Sequence, residues 1–119
     1  MFSVASEESY QDGQIIFKEG SSGDWVYVII SGTVEISKMV KGNKFVVELL
    51  PEGEVFGELG FLEGIKRTAT ATAVGKTTIG LIERESLDAE FNRLSSNFRA
   101  IIKAIVKRAK KLLDKAYEQ

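Results

Sequence analysis

The chain has 119 residues, 44% hydrophobic and 28% charged, with a formal net charge of −1 and neither cysteine nor histidine. That length supports one domain around a single core, and the composition is that of a soluble globular protein. Without cysteine there are no disulfides, thiolate nucleophiles or cysteine-type zinc sites; without histidine the Ser-His and Cys-His pairs, the commonest metal ligand and the usual proton shuttle are lost as well. The expectation is a protein that is not an enzyme, with no catalytic residues, no metal and no cofactor.

Residues 1 to 10 lack the basic start and apolar core of a signal peptide, and no apolar run approaches membrane-spanning length. A cytoplasmic protein without membrane insertion is expected. Charge is uneven, −6 over residues 1–96 and +5 over residues 97–119. No aromatic residues interleave the basic ones, so the C-terminal charge reads as a solvated lysine face, with no direct nucleic-acid binding expected.

All eleven glycines fall between Gly13 and Gly80. Between them run short segments rich in Val, Ile, Phe and Thr, which predict strands at 14–18, 25–30, 33–39, 44–50, near Val55, at 68–74 and at 77–83. Tyr27 with Ile29, and Val34 with Ile36, alternate as core-facing positions. "KGNK" (41–44) reads as a hairpin with Gly42 and Asn43 at its tip. From Arg84 the period becomes helical: a short helix over 86–94 with Ser86 as N-cap, then a long one starting near Ser95, Ser96 or Asn97. The fold class is mainly β with C-terminal helices, a jelly-roll β-barrel followed by a short helix and a long helix. The barrel is expected over 1–83 and the helical hinge or lid over 84–119.

The long helix carries an apolar stripe in which Phe98, Ile102, Ile105, Ala109, Leu112 and Ala116 alternate spacings of four and three, the seam of a coiled coil. It packs on its own barrel, or part of it pairs with a second copy; a homodimer through the 97–117 helix is the sharper expectation.

The segment "FGELGFLEGIKRTATATA" (56–73) holds the site chemistry. An ionised glutamate only accepts hydrogen bonds, and an arginine only donates them in a planar fork. Glu58 therefore suits a hydroxyl or amine and Arg67 a phosphate or carboxylate, and a ribose phosphate satisfies both. Gly57 and Gly60 let a short turn aim backbone amides at one oxyanion. The competing reading is a surface ion pair between Glu58 and Arg67, worth about 0 to 1 kcal/mol.

That same segment closely resembles the phosphate-binding cassette of the cyclic nucleotide-binding domain family, with its F-G-E-L and its arginine followed by small and hydroxyl residues. "GQIIFKEGSSGDWVYVIISGTVEI" (13–36) resembles the family's opening strands, and the helices after Glu83 resemble its B and C helices. The resemblance implies a ligand-binding set of Phe56, Gly57, Glu58, Leu59, Arg67, Thr68 and Ala69 in a cassette over 56–69. Glu58 would take the ribose 2′-hydroxyl, Arg67 the exocyclic phosphate oxygen, and Thr68 and Ala69 would add a hydroxyl and a backbone amide. Three departures stand out, one being that the opening helices that often precede the barrel are abbreviated, with only about a dozen residues before Gly13. Ile65 and Lys66 replace the proline that often precedes the arginine, and the helix over the base offers only Lys111, Asp114 and Lys115 as polar lid contacts.

The implied function is a cyclic nucleotide-binding regulatory sensor for cAMP, with cGMP the other candidate, that repositions its C-terminal helix. The alternatives are a dimerisation or interaction module with a degenerate pocket, and the sensor part of a transcription regulator whose DNA-binding domain is absent. The missing histidines oppose an enzyme of the cupin jelly-roll type.

Overall fold

A computed structural model describes residues 4–23, 25–58 and 66–116. In chain order the elements are β1 (Val4–Tyr10), β2 (Ile15–Phe17), β3 (Val26–Val40), β4 (Asn43–Leu50), β5 (Val55–Phe56), β6 (Thr70–Ile82), α1 (Arg84–Asn92) and α2 (Ser96–Ala116). The strands form an antiparallel jelly roll ordered β1-β6-β3-β4, with β2 added to β6 and β5 to β3. The mainly β architecture with a short and a long C-terminal helix follows the pattern of glycines and helical periodicity.

The strand boundaries differ from expectation in an instructive way. The segments predicted at 25–30 and 33–39 are one bent strand, β3, because the ladder with β6 continues through Ser31 with register shifts on either side. Gly32 makes the bend possible: its φ is +97°, and a Cβ there would lie 2.6 Å from the Thr77 hydroxyl. The segments at 68–74 and 77–83 likewise fuse into β6 through Gly75, whose amide donates to Asp12 Oδ1 at 2.7 Å. The hairpin tip is Lys41–Gly42, one residue earlier than predicted, since Val40 pairs with Asn43 and both tip residues have positive φ. β1 has no counterpart in the sequence reading; "VASEESY" is mostly exposed and polar, and its backbone pairing with β6 leaves no alternation to detect.

The core holds Tyr27, Ile29, Val34, Leu50, Phe56, Ala71, Ile79 and Leu81, with Ile36 and Phe17 packed against it. Phe17, Tyr27 and Phe56 form a ring cluster with centroids 5.2 to 5.9 Å apart. α1 starts at Arg84 with Glu83 at the N-cap position, two residues ahead of the predicted start, because the chain leaves β6 straight into the helix. Ser86 therefore lies in the first turn. α2 is capped by Ser95, whose Oγ accepts from the Phe98 amide at 3.2 Å. Lys103 of α2 sits 5.9 Å over the Phe91 ring of α1 and ties the two helices together. No helix among the described residues is long and apolar enough to cross a membrane.

Candidate functional site

A cavity of about 360 Å³ opens between the barrel wall and α2. β5 delivers Phe56, Gly57 and Glu58 to it; the residues just before β6 deliver Arg67, Thr68 and Ala69; β4 contributes Glu48 and Leu50, and α2 contributes Ala109 and Leu113. Six of the seven ligand-binding residues read from the sequence thus meet at one cavity. The seventh, Leu59, lies outside the described residues, as do Gly60, Ile65 and the rest of 59–65. The volume falls within the range of small-ligand pockets.

Arg67 is the structural centre of the site. It is only 4% exposed, a buried residue and not a surface one. Its Nη1 donates to the Gly57 carbonyl at 2.9 Å and its Nη2 to the Trp25 carbonyl at 2.8 Å, while the guanidinium stacks 4.4 Å from the Phe17 ring centroid. Its backbone is held on both sides, the amide by Ser21 O at 2.9 Å and the carbonyl by the Gly20 amide at 2.8 Å. Gly57 has φ +83°, and a Cβ would meet Arg67 Nη1 at 2.8 Å, so glycine is required both by conformation and by space.

Glu58 lies at the rim with much of its surface open, yet its carboxyl has enough protein around it to change its titration. Its pKa is raised: desolvation is the largest cause, and the neighbouring Glu48 carboxylate adds to it, against a backbone hydrogen bond and the Arg67 cation, which pull it down. The site therefore has a cationic wall at Arg67 and a carboxylate rim at Glu58, Glu48 and Glu54. A ligand that is anionic at one end and offers hydroxyl or N–H donors at the other matches that polarity.

Helix α2 meets the cavity with apolar residues. The predicted lid contacts Lys111, Asp114 and Lys115 are exposed, and Asp114 pairs with Lys110 at 2.8 Å; Ala109 and Leu113 are the residues that line the cavity. The cause is helical phase, since the buried anchor Val106 fixes which side of α2 faces the barrel. The seam predicted from spacing is split the same way. Ile102 is half-buried, whereas Phe98, Ile105, Ala109, Leu112 and Ala116 are exposed, together with Ile101; of these Ala109 lines the cavity.

Sequence reasoning missed Phe17, Lys38 and Glu48. Phe17 precedes the turn at 18–21 and would need three-dimensional information to place under Arg67. Lys38 carried a detectable signal, because it continues the inward parity of Val34 and Ile36 with a charged residue.

The fold and the cavity define a β-barrel module with a glycine-backed, arginine-walled cradle covered by a helix. The cyclic nucleotide-binding domain family matches residues 7–93, and the chain belongs to that family. It is similar to the cGMP-dependent protein kinase of Eimeria tenella, 39% identical over 87 residues, which are 73% of this chain and 8% of the kinase. It is also similar to the cAMP-dependent protein kinase regulatory subunit of Dictyostelium discoideum, 34% identical over 90 residues, 72% of this chain and 26% of that subunit. Among solved structures, the Thermus thermophilus catabolite activator protein superimposes with a TM-score of 0.71 at 30% identity, covering 93% of this chain and 54% of that one. The chain spans about a quarter or less of the length of the two kinase-related proteins.

Proposed function

We propose that the chain is a non-catalytic, cytoplasmic sensor module that binds cAMP in this cavity and passes occupancy on through α2. The observation that carries the reading is the convergence of Gly57, Glu58, Arg67, Thr68 and Ala69 with Ala109 and Leu113 of α2 on one cavity. In this reading Arg67 supplies the cationic wall for the cyclic phosphate, the Thr68 hydroxyl and the Gly57 and Ala69 amides donate to it, and Glu58 accepts the ribose 2′-hydroxyl. A bound base displaces water from Ala109 and Leu113, so filled and empty barrels hold α2 differently, which is what coupling requires.

Adenine suits an apolar cover because it brings fewer polar groups to desolvate than guanine. A specific observation favours cGMP as the second reading: the acceptor-only carboxylate of Glu48 lines the cavity and matches the paired N–H donors of a guanine edge. Calorimetric titration with cAMP and cGMP separates the two. Binding of cAMP that weakens at least about tenfold in Glu58→Ala supports the proposal; tighter binding of cGMP that is lost in Glu48→Ala supports the second reading; binding of neither overturns both.

The exposed face of α2 supplies the second half of the proposal. Phe98, Ile101, Ile105 and Leu112 follow spacings of three, four and seven, and we propose that they pair with the same face of a second copy.

A further inference from the structure

Lys38 is a charged residue in the barrel wall, with a side chain only 10% exposed. It does not line the cavity. Its Nζ donates to the Thr68 carbonyl at 2.5 Å and pairs with Glu19 Oε2 at 3.4 Å. Glu19 is itself fixed: its Oε1 accepts from the Met39 amide at 3.2 Å, and its own amide donates to Thr70 Oγ1 at 2.9 Å. Lys38 therefore holds the backbone just before Ala69, and Glu19 holds the Thr70 side chain just after it.

A lysine held in a sheet wall is costly unless its partners are well placed, so its contact identifies what it does. The Thr68 carbonyl and the Ala69 N–H belong to one peptide unit. In a planar trans peptide they point in opposite directions. An ammonium that holds the carbonyl on its own side turns the Ala69 N–H away from Lys38, and Thr68 and Ala69 are both cavity-lining residues. The same cation polarises that peptide unit and makes its N–H a better donor to an anion.

We propose that Lys38 is a positioning residue for ligand binding: through the Thr68 carbonyl it orients and polarises the Ala69 amide that receives the ligand's anionic group. The inference rests on the cyclic nucleotide reading of the cavity. Lys38 acts without touching the nucleotide, and Glu19 holds it in place.

The test is calorimetry of the full chain with cAMP and with cGMP, for wild type, Lys38→Met, Lys38→Arg and Glu19→Gln, with melting temperatures of the unliganded proteins and amide spectra of ¹⁵N-labelled samples. Lys38→Met keeps the length and apolar stem, and is expected to weaken the better-bound nucleotide about tenfold. Lys38→Arg should restore affinity to within about threefold, because it keeps a cationic donor. The nucleotide-induced shift of the Ala69 amide proton should shrink in Lys38→Met and return in Lys38→Arg, a response that loss of packing alone does not produce. If Lys38→Met fails to fold, Glu19→Gln still reports, since it leaves the ammonium in place while loosening its anchor; a reduced Ala69 shift is expected there too. Lys38→Met binding as wild type with an unchanged Ala69 shift overturns the positioning role and leaves the nucleotide reading standing. Wild type binding neither nucleotide overturns both.

Discussion

Arg67 donates from Nη1 to the carbonyl of Gly57, ten positions away along the chain, and so closes the site segment on itself at 2.9 Å. The residue that would meet the ligand's anion also holds the backbone that would meet the ligand's other oxygens. Affinity and local order are therefore coupled, and substitutions here divide by which of the two they disturb.

Gly57→Ala should disturb both. The positive φ alone costs about 1 to 2 kcal/mol for a residue with a Cβ, and the 2.8 Å approach to Nη1 displaces the guanidinium. Thermal denaturation should show the loss, and titration with cAMP a fall in affinity. Gly53→Ala is the control: its φ is +87° but a Cβ there meets nothing within 4 Å, so it should lose stability of similar size while leaving affinity unchanged. Equal binding by the two variants would count against Gly57 as a site residue.

Arg67→Lys keeps the charge but loses the fork that reaches both Gly57 and Trp25, and it loses the planar stack on Phe17. A loss of about 2 kcal/mol or more is expected in denaturant unfolding, with still more from Arg67→Ala. Arg67→Ala is for this reason a poor sole test of binding, and Glu58→Ala, at the rim, separates affinity from stability.

Glu58 makes a prediction about pH. Its folded-state pKa is raised, chiefly by desolvation, so the folded protein takes up the proton more readily than the unfolded chain. The protonated form favours folding, and that contribution is lost as pH rises through the folded pKa. On acidification from neutral pH toward the ordinary glutamate value of 4.5, unliganded wild type should gain stability relative to Glu58→Gln. Ligand affinity should fall over the same interval, because the acceptor for the hydroxyl is being protonated. Parallel pH profiles for wild type and Glu58→Gln would show that Glu58 is not the titrating group.

Ile105→Glu tests the proposed pairing of α2. Ile105 is 59% exposed, so the change should leave the unfolding free energy of dilute protein within about 0.5 kcal/mol of wild type. Sedimentation should then report a monomer where wild type is dimeric. A wild-type monomer at high concentration would remove the pairing altogether.

Much of this was legible in the sequence because the informative residues are of types with few alternative uses. Glycines recurring from Gly13 to Gly80, a glutamate and an arginine nine residues apart within a single segment, and a change of period after Glu83 are local signals, and they led to Phe56, Gly57, Glu58, Arg67, Thr68 and Ala69 at the cavity. What was not legible depends on partners distant along the chain. β1 forms because β6 offers an edge, and its own side chains are mostly polar and exposed. The fused strands β3 and β6 look interrupted because a glycine that bends a strand reads the same as one that ends it. The face of α2 that meets the cavity carries Ala109 and Leu113 and not Lys111, Asp114 and Lys115, because a wide apolar stripe leaves the helical phase open until Val106 is seen to be the anchor.

The continuity of β6 has a mechanical consequence. The strand starts at Thr70, immediately after Ala69, and ends at Ile82, with Glu83 alone before α1. It is laddered to β3 over residues 70–74 and 78–82, to β2 at Ala71 and Thr72 and to β1 over residues 77–82, with Gly75 and Lys76 between the ladders. Each laddered half resists stretching and buckling far better than a loop does. β6 is therefore two stiff halves joined at Gly75, whose positive φ makes it the one joint on the strand between the cavity wall and the first helix.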